Sequence, residues 1–218
     1  MQRFALGYER LARMVMLIAV VHMAVLVHTV CGLVAFGLFP SIGASCAVYR
    51  QWLMSEDRSW GIRQIWSAFH AAWRADLRAA NLFGWALAIP GLLLLWEYWF
   101  VQHNDLGQLG ILASGVLLVA NLAYLLMTCV GWSVRSHYAE RAGWIIRMSA
   151  SMVVARPLCS LFIVLLLATI CYAYYTWPGL AAALGIAVPI FAIMASVYAW
   201  GGLPGMNAHD AKEQRTRP

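Results

Sequence analysis

The chain carries very little charge. Only 11% of its 218 residues are Asp, Glu, Lys or Arg, against about a quarter in an ordinary soluble domain, and this scarcity excludes a water-facing surface over most of the molecule. Acid is the scarcer sign, with nine Asp and Glu against fifteen Lys and Arg, for a net charge of +6. The five cysteines, Cys31, Cys46, Cys129, Cys159 and Cys171, show neither a CxxC pair nor a metal-binding Cys/His spacing. Most fall in apolar runs, where a thiol behaves as a small hydrophobe, so no disulfide, metal or other cofactor is expected. A phosphate-cradling glycine loop, a paired-carboxylate pattern and a nucleophile–base–orienter set are also missing, which argues against an enzyme.

What the chain does hold is apolar length. Hydrophobic residues make up 63% and mean hydropathy is +0.72, and the eleven Trp and nine Tyr suit the headgroup zone of a bilayer. These features predict an all-α, polytopic transmembrane helix bundle forming one membrane domain. The opening "MQRFALGYERLARMVMLIAVV" carries Glu9 and no small-x-small cleavage site, and its apolar run exceeds the roughly 7–15 residues of a signal peptide. It reads as an uncleaved first span at 14–36. Runs near the required length of about 20 residues follow at 82–100, 111–134, 158–177 and 179–200. Only "TWPG" separates the last two, so they form a hairpin.

Basic residues set the direction. Segment 101–108 and the Pro178 turn contain no Lys or Arg. In contrast, 135–156 holds Arg135, Arg141, Arg147 and Arg156, and the polar tail at 203–218 holds Lys212, Arg215 and Arg217. The last two segments therefore face the cytoplasm. Arg3, Arg10 and Arg13 precede the first span, and Arg50, Arg58, Arg63, Arg74 and Arg78 follow it. If 38–53, "LFPSIGASCAVYRQWL", returns through the membrane, every basic segment shares one side and there are six spans. Its weakness is reach, about 21 Å from Pro40 to Leu53 against a core of about 30 Å. The alternative is five spans with the N-terminus outside.

Segment 62–80 reads as an amphipathic helix, because Ile62, Trp66, Phe69, Trp73 and Leu77 recur at steps of four and three. Arg63, His70, Arg74 and Arg78 flank that stripe, the position from which basic side chains reach lipid phosphates. Two placements fit: in the cytoplasmic interface, or packed on the protein's own inner face. Inside the spans, His22 and His28 are expected to be neutral imidazoles bonded to neighbouring helices. Asn81 and Asn121 are expected to bridge helices. Pro90 and Pro189 are candidate hinges, since proline frees a carbonyl and kinks a helix. With six spans they would fall in the third and sixth, as in transporters built from inverted halves. Gly179, Ala183 and Ala187 offer a flat face for contact within the monomer or in a homo-oligomer.

The run "GLVAFGLFPSIGASCAVYRQWLM", a short acidic turn, the aromatic-basic "IWSAFHAAWRADLRAANLFG" and a later "ARPL" together resemble the YesL-like family of bacterial integral membrane proteins, a domain of unknown function. The resemblance covers nearly the whole chain. It is carried by Pro40, Ala44, Ala47, Tyr49 and Arg50, with Arg156 and Pro157 as a lesser match. The chain has a single Arg50 where family members often have more basic residues, and Gly-Leu-Phe-Pro where some have Thr-x-Gly-Pro. The resemblance supplies no catalytic residues. It implies a bacterial plasma-membrane protein encoded near carbohydrate-uptake ABC importers and polysaccharide-degrading enzymes. The expected role is an accessory or partner subunit of oligosaccharide uptake; the alternative is a small transporter or channel, alone or as a homo-oligomer. The basic face suits anionic lipid rather than nucleic acid.

Overall fold

The computed structural model describes residues 2–55 and 57–200, with side chains from residue 8 onward. The tail at 203–218, and the expectation that it faces the cytoplasm, lie outside the described residues. Among those described, the chain forms eight helices and no strand. Apolar sequence in lipid must satisfy its backbone polar groups internally, which selects helix.

The first helix, α1 (Gln2–Cys31), ends in a tight turn at 32–37. Leu33 and Val34 there have φ of 56° and 61°, a left-handed backbone that costs non-glycine residues on the order of 1–3 kcal/mol each. The strain is held by hydrogen bonds from the Val34 N–H to the Thr29 carbonyl at 2.8 Å and from the Leu38 N–H to the Val34 carbonyl at 3.0 Å. Next comes α2 (Leu38–Met54), 17 residues, running back along α1; Thr29 Oγ1 donates to Ser41 Oγ at 3.3 Å across the pair.

The amphipathic segment and the following span are one uninterrupted helix, α3 (Ile62–His103), of 42 residues. The boundary reads "LRAANLFGW" and contains nothing that stops a helix, so the change of surface character carries no change of backbone. At 1.5 Å per residue α3 is about 63 Å long, roughly twice the hydrocarbon core. Then α4 (Gly107–His137) returns antiparallel, with Asn121 bonded to the Leu94 carbonyl and Arg135 to Asp76. The basic link at 135–156 holds a further apolar helix, α5 (Ala142–Ala155). It hands over at Arg156 to α6 (Pro157–Thr176), where Pro157 occupies the first turn, the place in a helix where its missing N–H is not needed.

The expected span at 179–200 is broken. It divides into α7 (Pro178–Leu184) and α8 (Ala187–Trp200), bent by 73°. Gly185, at φ +35°, makes the break, and the His22 ring lies where its Cβ would be. Pro189 falls inside the first turn of α8, so the bend precedes it. Pro90 lies within α3 as expected.

Four described helices are long and apolar enough to cross a membrane, or five if the bent pair is one span. They are 8–31 of α1, then α3, α4 and α6. The centre is α2, which touches α1, α3, α4 and α8 and contacts α3 most extensively. Pro40, Ala44, Ser45, Cys46, Val48 and Tyr49 are buried along it, and Phe39 lies directly on Gly84 of α3.

Candidate functional site

Most of the side chains that could do chemistry gather around α2. Tyr49 is fully buried, and its hydroxyl donates to the Ala187 carbonyl at 3.1 Å, where α8 begins. Arg50 donates to the Ser136 carbonyl at 3.1 Å, near the end of α4. One residue on, His137 Nδ1 meets the Tyr198 hydroxyl at 2.9 Å. Tyr49 and Arg50 thus fasten α2 to α8 and α4, while Ala44 and the half-buried Ala47 let helices approach closely. In this fold the Pro40-to-Arg50 motif is the set of positions that lets α2 sit at the centre.

The broken span leaves backbone carbonyls without helical partners, which in hydrocarbon would cost several kcal/mol apiece. Side chains from two other helices cover them. His22 Nε2 donates to the Ala182 carbonyl at 3.1 Å, and Tyr174 donates to the Gly185 carbonyl at 2.7 Å. Because a carbonyl only accepts, the His22 proton sits on Nε2. Close to Pro90, whose missing N–H leaves the Ala86 carbonyl without its helical donor, Tyr124 donates to the Leu87 carbonyl one residue on at 2.6 Å, and its ring lies against Gly91.

A second cluster joins α1 to the first half of α3. His28 Nδ1 donates to the Ala24 carbonyl at 2.8 Å, which leaves Nε2 to accept from His70 Nδ1 at 3.0 Å. The rings of Trp66, Phe69 and Trp73 surround His28 at 5.5, 5.0 and 5.2 Å. Both span histidines are therefore bonded to other helices, as expected. The stripe read from the sequence is rotated slightly: Ile65, Phe69 and Ala80 are buried, Trp73 and Leu77 half-buried, and Ile62 and Trp66 exposed. So Phe69 and Trp73 cover α1, while Arg74 and Arg78 stay exposed. Asn81 bridges to the Phe36 carbonyl at 2.8 Å, which, with the histidine pair, places α1 alongside the first half of α3.

A third group sits where α3 changes from charged to apolar. Arg135 grips Asp76 through two bonds, 2.6 and 2.8 Å, a bidentate arrangement among the strongest side-chain contacts. The guanidinium also lies 5.3 Å from the Phe83 ring and 5.6 Å from the Trp132 ring, within cation–π range. Beside the pair opens a cleft of about 380 Å³ between α3, the end of α4 and α5. Burial holds the Tyr138 phenol in its wall above its ordinary pKa, so it is neutral. In the loop before α3, hydrogen bonds from Ser59 lower the Asp57 pKa, helped by the nearby Arg13 charge. Sequence reasoning missed the Asp76–Arg135 pair. Its one signal was a lone carboxylate in "AAWRADLRAA", flanked by arginines that lie on other faces.

Eight described helices, four or five of them apolar enough to cross, with His22 and Tyr174 bonded to the carbonyls of the broken span, describe a multi-pass helical membrane protein. Residues 18–98, which run from within α1 through α2 to near the end of α3, match the family described as "Protein of unknown function, DUF624". The chain is 27% identical over 155 residues to the uncharacterized protein YesV of Bacillus subtilis (strain 168), covering 71% of this chain and 72% of that one. It is 26% identical over 134 residues to the uncharacterized protein YteU of the same organism, covering 58% of each. No solved structure matches.

Proposed function

We propose that this chain is a YesL-like, non-catalytic protein of the bacterial plasma membrane, an accessory or partner subunit of ABC-type carbohydrate uptake, oligosaccharides in particular. The observation that carries a supporting rather than conducting role is the position of α2. Ala44, Cys46, Val48 and Tyr49 are at most 2% exposed, so the middle of the bundle is a packed rod. The link to sugar uptake comes from the family resemblance. Tagged full-length chain purified from its native host should bring down importer components; a purification that recovers none overturns this role.

One observation favours a second reading, a small transporter or channel. The 73° break between α7 and α8, with its carbonyls held by side chains, has the form of the discontinuous helices that line transport sites. Purified protein in proteoliposomes taking up labelled oligosaccharide by itself would establish this reading and exclude the accessory one.

For topology we propose five crossings with the N-terminus outside and the C-terminus cytoplasmic; the bonds of Asn81 to the Phe36 carbonyl and of Arg50 to the Ser136 carbonyl support an α2 that lies along the inner boundary, since both of its ends then meet the basic ends of the apolar runs in α3 and α4. The exposed Arg74 and Arg78 then meet the phosphates of the inner leaflet. Because α1 accompanies the first half of α3, a bilayer-crossing α1 requires α3 to tilt or bend where its charged half meets its apolar half.

A further inference from the structure

We propose that the cleft between α3 and α5 is a binding site for one phospholipid with an amine-bearing, zwitterionic headgroup, a phosphatidylethanolamine in chemical class. The cleft lies where α3 passes from Arg74, Asp76 and Arg78 to the apolar run that begins at Leu82. That transition is the headgroup–acyl boundary for a helix crossing a bilayer. Its walls divide the same way. Leu82, Phe83 and Ala86 on α3 and Ile145 on α5 make an apolar side suited to an acyl chain, and Asp76, Arg135 and Glu140 make a polar end.

Charge selects the headgroup. Two carboxylates and one guanidinium give the polar end a net charge of −1, which disfavours an anionic lipid and suits a ligand that brings a cation together with its phosphate. Asp76 and Glu140 can receive a primary ammonium, which offers three donors. Arg135 carries five N–H donors, of which Asp76 takes two, so it can meet the phosphate while keeping its partner. A quaternary ammonium has no N–H to offer the carboxylates, so a choline headgroup should bind less well. At about 380 Å³ the cleft holds a headgroup and the first part of one chain, with the remainder lying along the exposed Leu82 and Ala86.

The test is native mass spectrometry of the full-length protein released from bilayers containing equal phosphatidylethanolamine, phosphatidylglycerol and phosphatidylcholine. One phosphatidylethanolamine should remain bound, favoured over each other lipid by about fivefold, as expected of an exposed charge contact. Glu140→Lys, on the exposed link, should reverse the preference toward phosphatidylglycerol. Ala142→Trp, on the exposed first turn of α5, should remove the retained lipid while leaving the thermal midpoint unchanged. Equal retention of the three lipids, selective retention of phosphatidylglycerol by the native chain, or retention undiminished in a folded Ala142→Trp variant would each overturn the proposal.

Discussion

Replacing Gly84 by alanine sets two effects of opposite sign against each other. In an open helix interior, Gly→Ala is stabilising by about 0.5–1 kcal/mol, because glycine loses more backbone freedom on folding. At Gly84 the new methyl group would enter the space of the Phe39 ring and lie close to the Phe39 Cβ as well. The Cβ is fixed by the backbone of α2, so a rotamer change alone cannot clear the contact. Moving the ring also disturbs its edge contact with Trp85 at 5.1 Å and its stacking with Trp132 at 6.4 Å. Overpacking of this kind costs about 1–3 kcal/mol, and each disturbed aromatic pair adds about 0.5–1.5. Overpacking wins, with a net loss of about 1–5 kcal/mol. For a chain of this size that is a fall in Tm of about 2–4 °C per kcal/mol, measurable by thermal shift in detergent. Gly115 in α4 is the internal control, since a Cβ there meets nothing within 4 Å, and Gly115→Ala should raise Tm. In a Phe39→Ala background the penalty at position 84 should shrink. If Gly84→Ala and Gly115→Ala moved Tm in the same direction, the close approach of α2 to α3 would be wrong.

Tyr124→Phe should cost about 0.6–1.5 kcal/mol by removing the bond that ties α4 to the Leu87 carbonyl of α3; an unchanged Tm would refute that contact. A double-mutant cycle on Asp76 and Arg135, read by denaturant unfolding, should give a coupling of about 1–3 kcal/mol, between the values for exposed and buried pairs, and additive single effects would refute the pairing. Spin labels at Val27 and Ala71, both exposed, should report the same bilayer depth, because His28 and His70 are hydrogen-bonded neighbours; a difference approaching half the bilayer would show that α1 does not accompany α3.

Much of the helical content was readable from composition. Lipid permits few alternatives to helix: the run at 111–134 lies inside α4 with a few residues added at each end, 158–177 matches α6 to within one residue at each end, and 82–100 lies inside the much longer α3. The hairpin at "TWPG" was equally plain, since Pro178 and Gly179 leave room for little else. The fusion of 62–80 with 82–100 was hidden because surface polarity changes there and backbone preference does not. The break at Gly185 was hidden for the opposite reason. "AAALGIAVPIF" keeps its apolar character through the bend, and proline is the stronger breaker on paper, yet the glycine yields because the His22 ring occupies the adjacent space. Of the candidate site, the motif from Pro40 to Arg50 was visible as a pattern, and its use was not. Which carbonyl Tyr49 reaches, or which carboxylate Arg135 grips, depends on helices far apart in sequence.

The central position of α2 bears on how the protein is made. Its partner Ala187 and its aromatic neighbour Phe191 belong to α8, which leaves the ribosome after every other described helix, so through most of synthesis Tyr49 and Trp52 lack their final cover. A chaperone or insertase that shelters this segment would be released only when the C-terminal hairpin arrives, and chains truncated before residue 187 should be degraded by membrane proteases even though every earlier helix is intact.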